Sequence, residues 1–389
     1  MNGGSRGRLR LRRVHRALLR AALMDDAASR VAYAEWAGLV DIRSLDYGAQ
    51  TLLPLLYPRL ARLDAAQGHV GIVTGAYRRA RYANRLLLRR SVNAIDALDK
   101  AGIDHIVVRG LAMLTIVPED TALRPVPGAD IVVPRARVEQ AAAALGNEGW
   151  RPGFRQRLDA GVVRTRDDWP LFRDDGVQLS LRWRWPHASA AGDDVAPWDA
   201  AERATVDGRA SRVMGRADLL VDACMQAAGW DGVARVRSIA DAALIVRHGV
   251  DWDGVLRHAR AYGVVPAISA ALADLHDCLG APVPSRVLAD LAAAPTAARD
   301  RLEFYCRRAA SPRVSPVVDA WFGYARSRRA PSEGAARLGL LRYLQLRWSL
   351  GARHEVPLAA ASRLVRTLRG IPAAHLSRRA RTAADGGAR

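Results

Sequence analysis

Lysine is almost absent from this chain. The sequence has 389 residues and 59 Lys plus Arg, and Lys100 is the only lysine. With the abundance of alanine, glycine, valine and aspartate, that scarcity reads as a coding bias toward GC-rich codons. The formal net charge of +20 is therefore partly compositional. It still favours phosphates, nucleic acid or acidic partners, but it identifies none of them. Cysteine is scarce too. Cys224, Cys278 and Cys306 are isolated, without CxxC spacing, which excludes a disulfide framework and a cysteine zinc site and fits a reducing compartment. The nine histidines show no HxxxH or HExxH spacing. Ser180, Ser189 and Ser211 lack a GxSxG setting, so serine-hydrolase chemistry has no support. No apolar run approaches the roughly 18 residues of a membrane span. The basic segment from Arg8 to Leu23 lacks the continuous apolar stretch and cleavage site of a secretory signal. It reads as the start of a first helix with a solvated arginine face, and a cytoplasmic location is expected.

Half the residues are hydrophobic and a quarter are charged, so the chain can bury real cores. Its length allows two or three domains. Residues 8–100 read as an N-terminal helical region, with stripes at Leu18, Leu19, Ala22 and Leu23, at Tyr33, Trp36, Ala37 and Val40, and a long periodic helix over Arg78 to Leu98. Residues 101–215 switch to strand signals at 106–108, 129–133, 162–165 and 177–185, and 188–215 reads as a polar connector with a tight turn at Asp207-Gly208. A helical region follows over 216–280. Pro282 to Pro284 marks the boundary to a C-terminal helical region over 281–370, and 371–389 reads as a disordered tail. The expected class is α+β: a small mixed-sheet core between helical flanks.

The stretch from Ile103 to Trp150 carries the chemistry. An apolar strand runs into Arg109-Gly110 and then a helix, and the next strand bears Asp130. A glycine between strand and helix lets backbone amides face an anion at the helix N-terminus. A carboxylate on the neighbouring strand can hold a metal against that anion. Arg124 reads equally well as a salt-bridge partner or a phosphate ligand, and Asp130 could pair with it. Arg182 and Arg184 alternate with Trp183 and Trp185. That pattern fits either a strand that stacks a base and holds a phosphate, or an edge strand with solvated arginines and core tryptophans. Arg237 and Asp241, at i and i+4, read as a helix-surface pair.

Several segments in order resemble one family: AYAEWA at 32–37, VDIRSLDYG at 40–48, LLPLLY at 52–57, GAYRRARYANRLLL at 75–88, AGIDHIVVRGLAM at 101–113, ALRPVPGADIVVP at 122–134, VQLSLRWRW at 177–185, VRSIADAALIV at 236–246 and DWDGV at 251–255. Together they resemble bacterial nucleotidyltransferase-family proteins, an uncharacterised branch of the DNA polymerase β-like nucleotidyltransferase superfamily. The resemblance runs from about Leu18 to Arg347. It implies a nucleoside triphosphate as substrate or ligand, Mg²⁺ as cofactor and a nucleotidyl group moved to an acceptor. Asp130 would be the catalytic and metal-holding carboxylate, with Arg109, Gly110, Arg124 and Arg182 around the phosphates. The implied partners are a small acceptor or a biosynthetic partner protein. The net charge and the Arg/Trp strand at 182–185 leave a basic nucleic-acid-binding protein as a further, less favoured reading.

The chain departs from the family pattern where that pattern places carboxylates. The first position of an Asp-x-Asp pair is Gly128, the later strand carboxylate is Ser180 and the histidine two residues on is Arg182. The lysine before the glycine is Arg109, and a helical His/Cys/His segment has become Asp222, Cys224 and Gln226. Two closely spaced dications need several carboxylates to offset their repulsion, and here one remains. Asp174, Asp175, Glu119 and Asp120 are the substitutes within reach of the sequence. The expectation is a metal motif gone degenerate and a site that binds phosphates better than it transfers them, a weakly active enzyme or a pseudoenzyme acting as nucleotide sensor or scaffold. Gly128→Asp with Ser180→Asp should then tighten metal binding.

Overall fold

The computed structural model describes residues 9, 11–116, 120–153, 156–185, 198–229, 235–309, 315–328 and 338–369. The tail reading for 371–389 and Glu119 lie outside them. Among the described residues, seven strands form one mixed sheet: β1 (Ile106–Val108), β2 (Ala129–Val132), β3 (Arg151–Pro152), β4 (Asp168–Phe172), β5 (Gln178–Arg182), β6 (Glu202–Val206) and β7 (Arg209–Val213). Their order is β3-β4-β5-β2-β1-β7-β6. The expected architecture, a mixed sheet between helical flanks, is the one observed. No helix among the described residues is long and apolar enough to cross a membrane.

Sheet alternation explains the core. In β5, Leu179 and Leu181 are fully buried on one face, while Gln178, Ser180 and Arg182 share the other. β2 runs parallel to β5 with Asp130 opposite Ser180, and β4 runs antiparallel to β5 with Asp168 opposite Arg182. β5 is thus an interior strand. Trp183 and Trp185 are buried, as the core reading predicts, but Arg182 is buried as well, at 8% exposure. The solvated-arginine reading fails there, because strands pair on both sides of β5.

Three local expectations are corrected. Residues 162–165 form no strand. They end the helix Ala160–Thr165, whose N-cap Asp159 accepts from the Val162 amide at 2.8 Å. The connector reading for 188–215 hid a hairpin, β6 to β7. Its two turn residues, Asp207 (φ 47°) and Gly208 (φ 86°), both adopt the positive φ of the turn type that matches strand twist. Strand β4 was also missed. Its Trp169 and Leu171 alternate inward, but Pro170 between them argues against a strand.

Around the sheet, the long helix Gln67–Lys100 packs on helix Tyr47–Leu56, helix Val138–Asn147 and the turn Thr121–Leu123. Helix Arg216–Ala227 packs on helices Arg109–Ile116, Arg235–Arg247, Trp252–Ala261 and Val265–Leu279. Helices Arg109–Ile116, Arg216–Ala227 and Arg235–Arg247 border the polar face of the strands.

Candidate functional site

Strand β1 passes directly into helix Arg109–Ile116. The junction residue, Arg109, has φ 56°, a left-handed conformation costly for a residue with a side chain. Gly110 follows, and a Cβ there would stand 2.9 Å from Val126 Cγ1 and 3.0 Å from Arg124 Nη1. A side chain at 110 would therefore have to push aside Val126 and the Arg124 guanidinium.

That loop is held from behind. Asn84, fully buried on helix Gln67–Lys100, donates through Nδ2 to the carbonyls of Thr121 and Arg124 and accepts from the Val126 amide at 3.0 Å. Three hydrogen bonds from one side chain fix the backbone that presents Arg124. Sequence reasoning missed this residue, since a lone asparagine on an arginine-rich helix carries no signal.

Arg109, Gly110, Arg124, Asp130 and Arg182 line a single cavity of about 260 Å³, so all five residues picked from sequence converge. Gly128, Ser180, Asp168, Asp222, Gln226, Arg237 and Asp241 complete its polar wall. A larger cleft of about 690 Å³ lies beside Asp218 and His258, and none of the five residues lines it.

Each acid in the cavity faces an arginine. Arg182 Nε donates to Asp130 Oδ1 at 2.6 Å, and its Nη2 stands 4.0 Å from Asp168 Oδ2. Arg124 forks onto Asp241, Nε to Oδ1 and Nη2 to Oδ2, both at 2.7 Å, while its Nη1 donates to the Gly110 carbonyl at 3.3 Å. Arg109 Nη2 is 3.6 Å from Asp222 Oδ1, and its guanidinium lies 5.2 Å from the centroid of the Trp185 ring. Gln226 also donates to Asp222. Of the two readings of Arg124, the salt-bridge one has its partner, in Asp241 rather than Asp130. Asp241 and Arg237 are buried, at 6% and 8%, and not a surface pair. Trp185, covered by Arg109, offers no face to a base. Cys224, fully buried behind this wall, has its thiol pushed up by burial and then by Asp222, so it is no nucleophile.

The cavity wall carries four arginines (109, 124, 182, 237) and four aspartates (130, 168, 222, 241) and is neutral overall. The chain's large positive charge is not concentrated here. The suggested substitute carboxylates are elsewhere: Asp175 pairs with Arg90 at 2.7 Å and Asp120 accepts from Tyr77 at 2.7 Å. The carboxylates that do line the cavity beside Asp130 are Asp168, on the missed strand, and Asp222 and Asp241, on helices.

These residues do not fit a divalent cation. Among the described residues no group of three or more His, Cys, Asp or Glu could hold one. One of the two Asp130 carboxylate oxygens, Oδ1, is already bonded to Arg182. A dication about 4 Å from that guanidinium would be repelled by about 8 kcal/mol at an effective dielectric near 20.

The model of the family described as uncharacterised nucleotidyltransferase matches residues 48–280, more than half of the chain. The chain belongs to that family. The matched span contains every residue of the cavity. No curated protein matches. Two solved structures are similar to parts of it: the solution structure of the antibiotic-resistance factor ANT(2'')-Ia, and the crystal structure of an antigenic nucleotidyltransferase-like protein from Paracoccidioides brasiliensis. Both are 17% identical with a TM-score of 0.35, covering 50% and 52% of this chain and 98% and 96% of theirs. At those values neither bears on the chemistry.

Proposed function

We propose that this nucleotidyltransferase-family chain binds a nucleoside triphosphate in the cavity between Gly110 and Asp130. The polyphosphate lies against Arg109, Arg124 and Arg182, at the N-terminus of helix Arg109–Ile116. The observation that carries this reading is the convergence of all five residues on one cavity. Guanidinium forks match phosphate oxygens, and the helix N-terminus adds partial positive charge. A nucleotide that displaces an aspartate from its arginine exchanges one charge-assisted bond for another.

Nucleotidyltransferases generally use a nucleoside triphosphate with a divalent metal. The donor set here does not suit a resident Mg²⁺ pair, and no step is assigned to one. A small acceptor or a biosynthetic partner protein would meet the nucleotide at the open side of the cavity. A catalytically silent relation to the family, as a nucleotide sensor or scaffold, is the second reading. It is favoured by the 2.6 Å bond that occupies Asp130.

Titration calorimetry with ATP, CTP, GTP and UTP tests the binding, and absence of heat with all four removes the proposal. Pyrophosphate release separates the two readings. Release that disappears in Asp130→Asn means transfer; binding without release means a sensor.

A further inference from the structure

We propose that the guanidinium of Arg182 stands where a divalent cation would otherwise bridge carboxylates, so that the cavity takes nucleotide polyphosphate without metal. This rests on the nucleotide reading above and names the charge that serves it.

The strand registers set the geometry. Asp130 lies opposite Ser180 and Asp168 lies opposite Arg182, so β5 brings a cation between acids from the strands on its two sides. Arg182 uses different nitrogens toward each, Nε to Asp130 at 2.6 Å and Nη2 to Asp168 at 4.0 Å. It is nine-tenths buried. Asp168 also has Arg166 Nη2 at 3.7 Å, so Asp130 is the acid that Arg182 bonds and Asp168 the one it approaches, a planar fork where a metal would place a spherical ion.

The surrounding positions agree. Ser180 brings no charge to the strand position opposite Asp130. Gly128 has no space for a side chain, because a Cβ would stand 2.9 Å from the Gln178 carbonyl oxygen. The other two nearby acids, Asp241 and Asp222, face Arg124 and Arg109. An entering dication would meet a fixed positive charge and no surplus acid. A phosphate would meet N–H donors once it displaces an aspartate from one of these arginines.

Two measurements on the full chain test this. Calorimetry with ATP in EDTA and in Mg²⁺ should give dissociation constants within about threefold of each other; binding more than about tenfold tighter with Mg²⁺, which corresponds to about 1.4 kcal/mol, overturns the proposal. If ATP, CTP, GTP and UTP bind in neither buffer, the nucleotide reading itself falls. The cation claim is then decided by thermal unfolding with MgCl₂ alone. Arg182→Ser removes the guanidinium from Asp130 and from the side of Asp168, and Mg²⁺ should raise its melting temperature while leaving wild type unchanged. A stabilised wild type, or an unresponsive folded variant, overturns it. If Arg182→Ser does not fold, Arg182→Gln, which keeps most of the side-chain volume and removes the charge, serves instead: Mg²⁺ should raise its melting temperature, and an unresponsive folded Arg182→Gln overturns the claim.

Discussion

The simplest way to test the expected second carboxylate beside Asp130 is to write it in as Gly128→Asp. The structure predicts that this damages the protein instead. A Cβ at 128 would lie 2.9 Å from the carbonyl oxygen of Gln178 and 3.2 Å from its Cβ. The obstacle is the backbone of β5, tied to β2 through the Ala129–Leu179 pairing, so no rotamer change relieves it. Overpacking of this kind costs about 1–3 kcal/mol. Replacing glycine returns about 0.4–1 kcal/mol by stiffening the unfolded chain. Gly128→Ala should therefore lose about 1–2 kcal/mol. Gly128→Asp adds a charge on the face that holds Asp130. At about 6 Å and an effective dielectric near 20 the two carboxylates repel by about 3 kcal/mol, part of which Arg182 offsets. The aspartate variant should lose about 3–4 kcal/mol in all. Urea unfolding of wild type and both variants reads the differences as midpoint shifts at constant slope. If Gly128→Asp is as stable as wild type and binds Mg²⁺, then the strand has room after all. The steric account would be wrong, and with it the argument that a simple swap cannot restore the site.

Three further outcomes follow from other buried contacts, two behind the cavity and one at Glu303, which pairs with Arg307 and Arg326. Asn84→Leu leaves two carbonyls and one amide unpaired in the interior and should cost about 3–5 kcal/mol. It should also weaken ATP binding, because it releases the loop carrying Arg124, whereas an unchanged denaturation curve would show that the loop holds itself. Arg124→Ala strands the buried Asp241 and should cost about 3–5 kcal/mol. A double-mutant cycle with Asp241→Ala should return a coupling of at least about 1 kcal/mol, and additivity would mean the fork contributes nothing. Burial pushes the Glu303 carboxyl up, but Arg326 and Arg307 outweigh it and hold it below its ordinary 4.5. Its folded value is the lower one, so its stabilisation is present above pH 4.5 and is lost as the pH falls through the depressed value. Glu303→Gln should flatten the acid limb of a stability–pH profile, and an unaltered limb would place the acid sensitivity elsewhere.

Sequence by itself determined the local elements that carry the five predicted site residues, and their order. The apolar run at 106–108, the glycine at 110 and a carboxylate on the 129–132 strand were legible because strand and helix periodicity acts between near neighbours. The Asp-Gly turn at 207–208 carried the hairpin signal as well, though its flanking strands are too polar to stand out. The ion pairs were decided by tertiary structure alone. Arg124 finds Asp241 on a helix 117 residues away, and Arg182 finds Asp130 at a separation of 52. Coulomb attraction acts through space and leaves no spacing in the chain, so among so many arginines the sequence cannot say which one meets which acid. Packing likewise decided that Gly128 has no room for a carboxylate, since the obstructing carbonyl belongs to Gln178 on a strand paired from far along the chain.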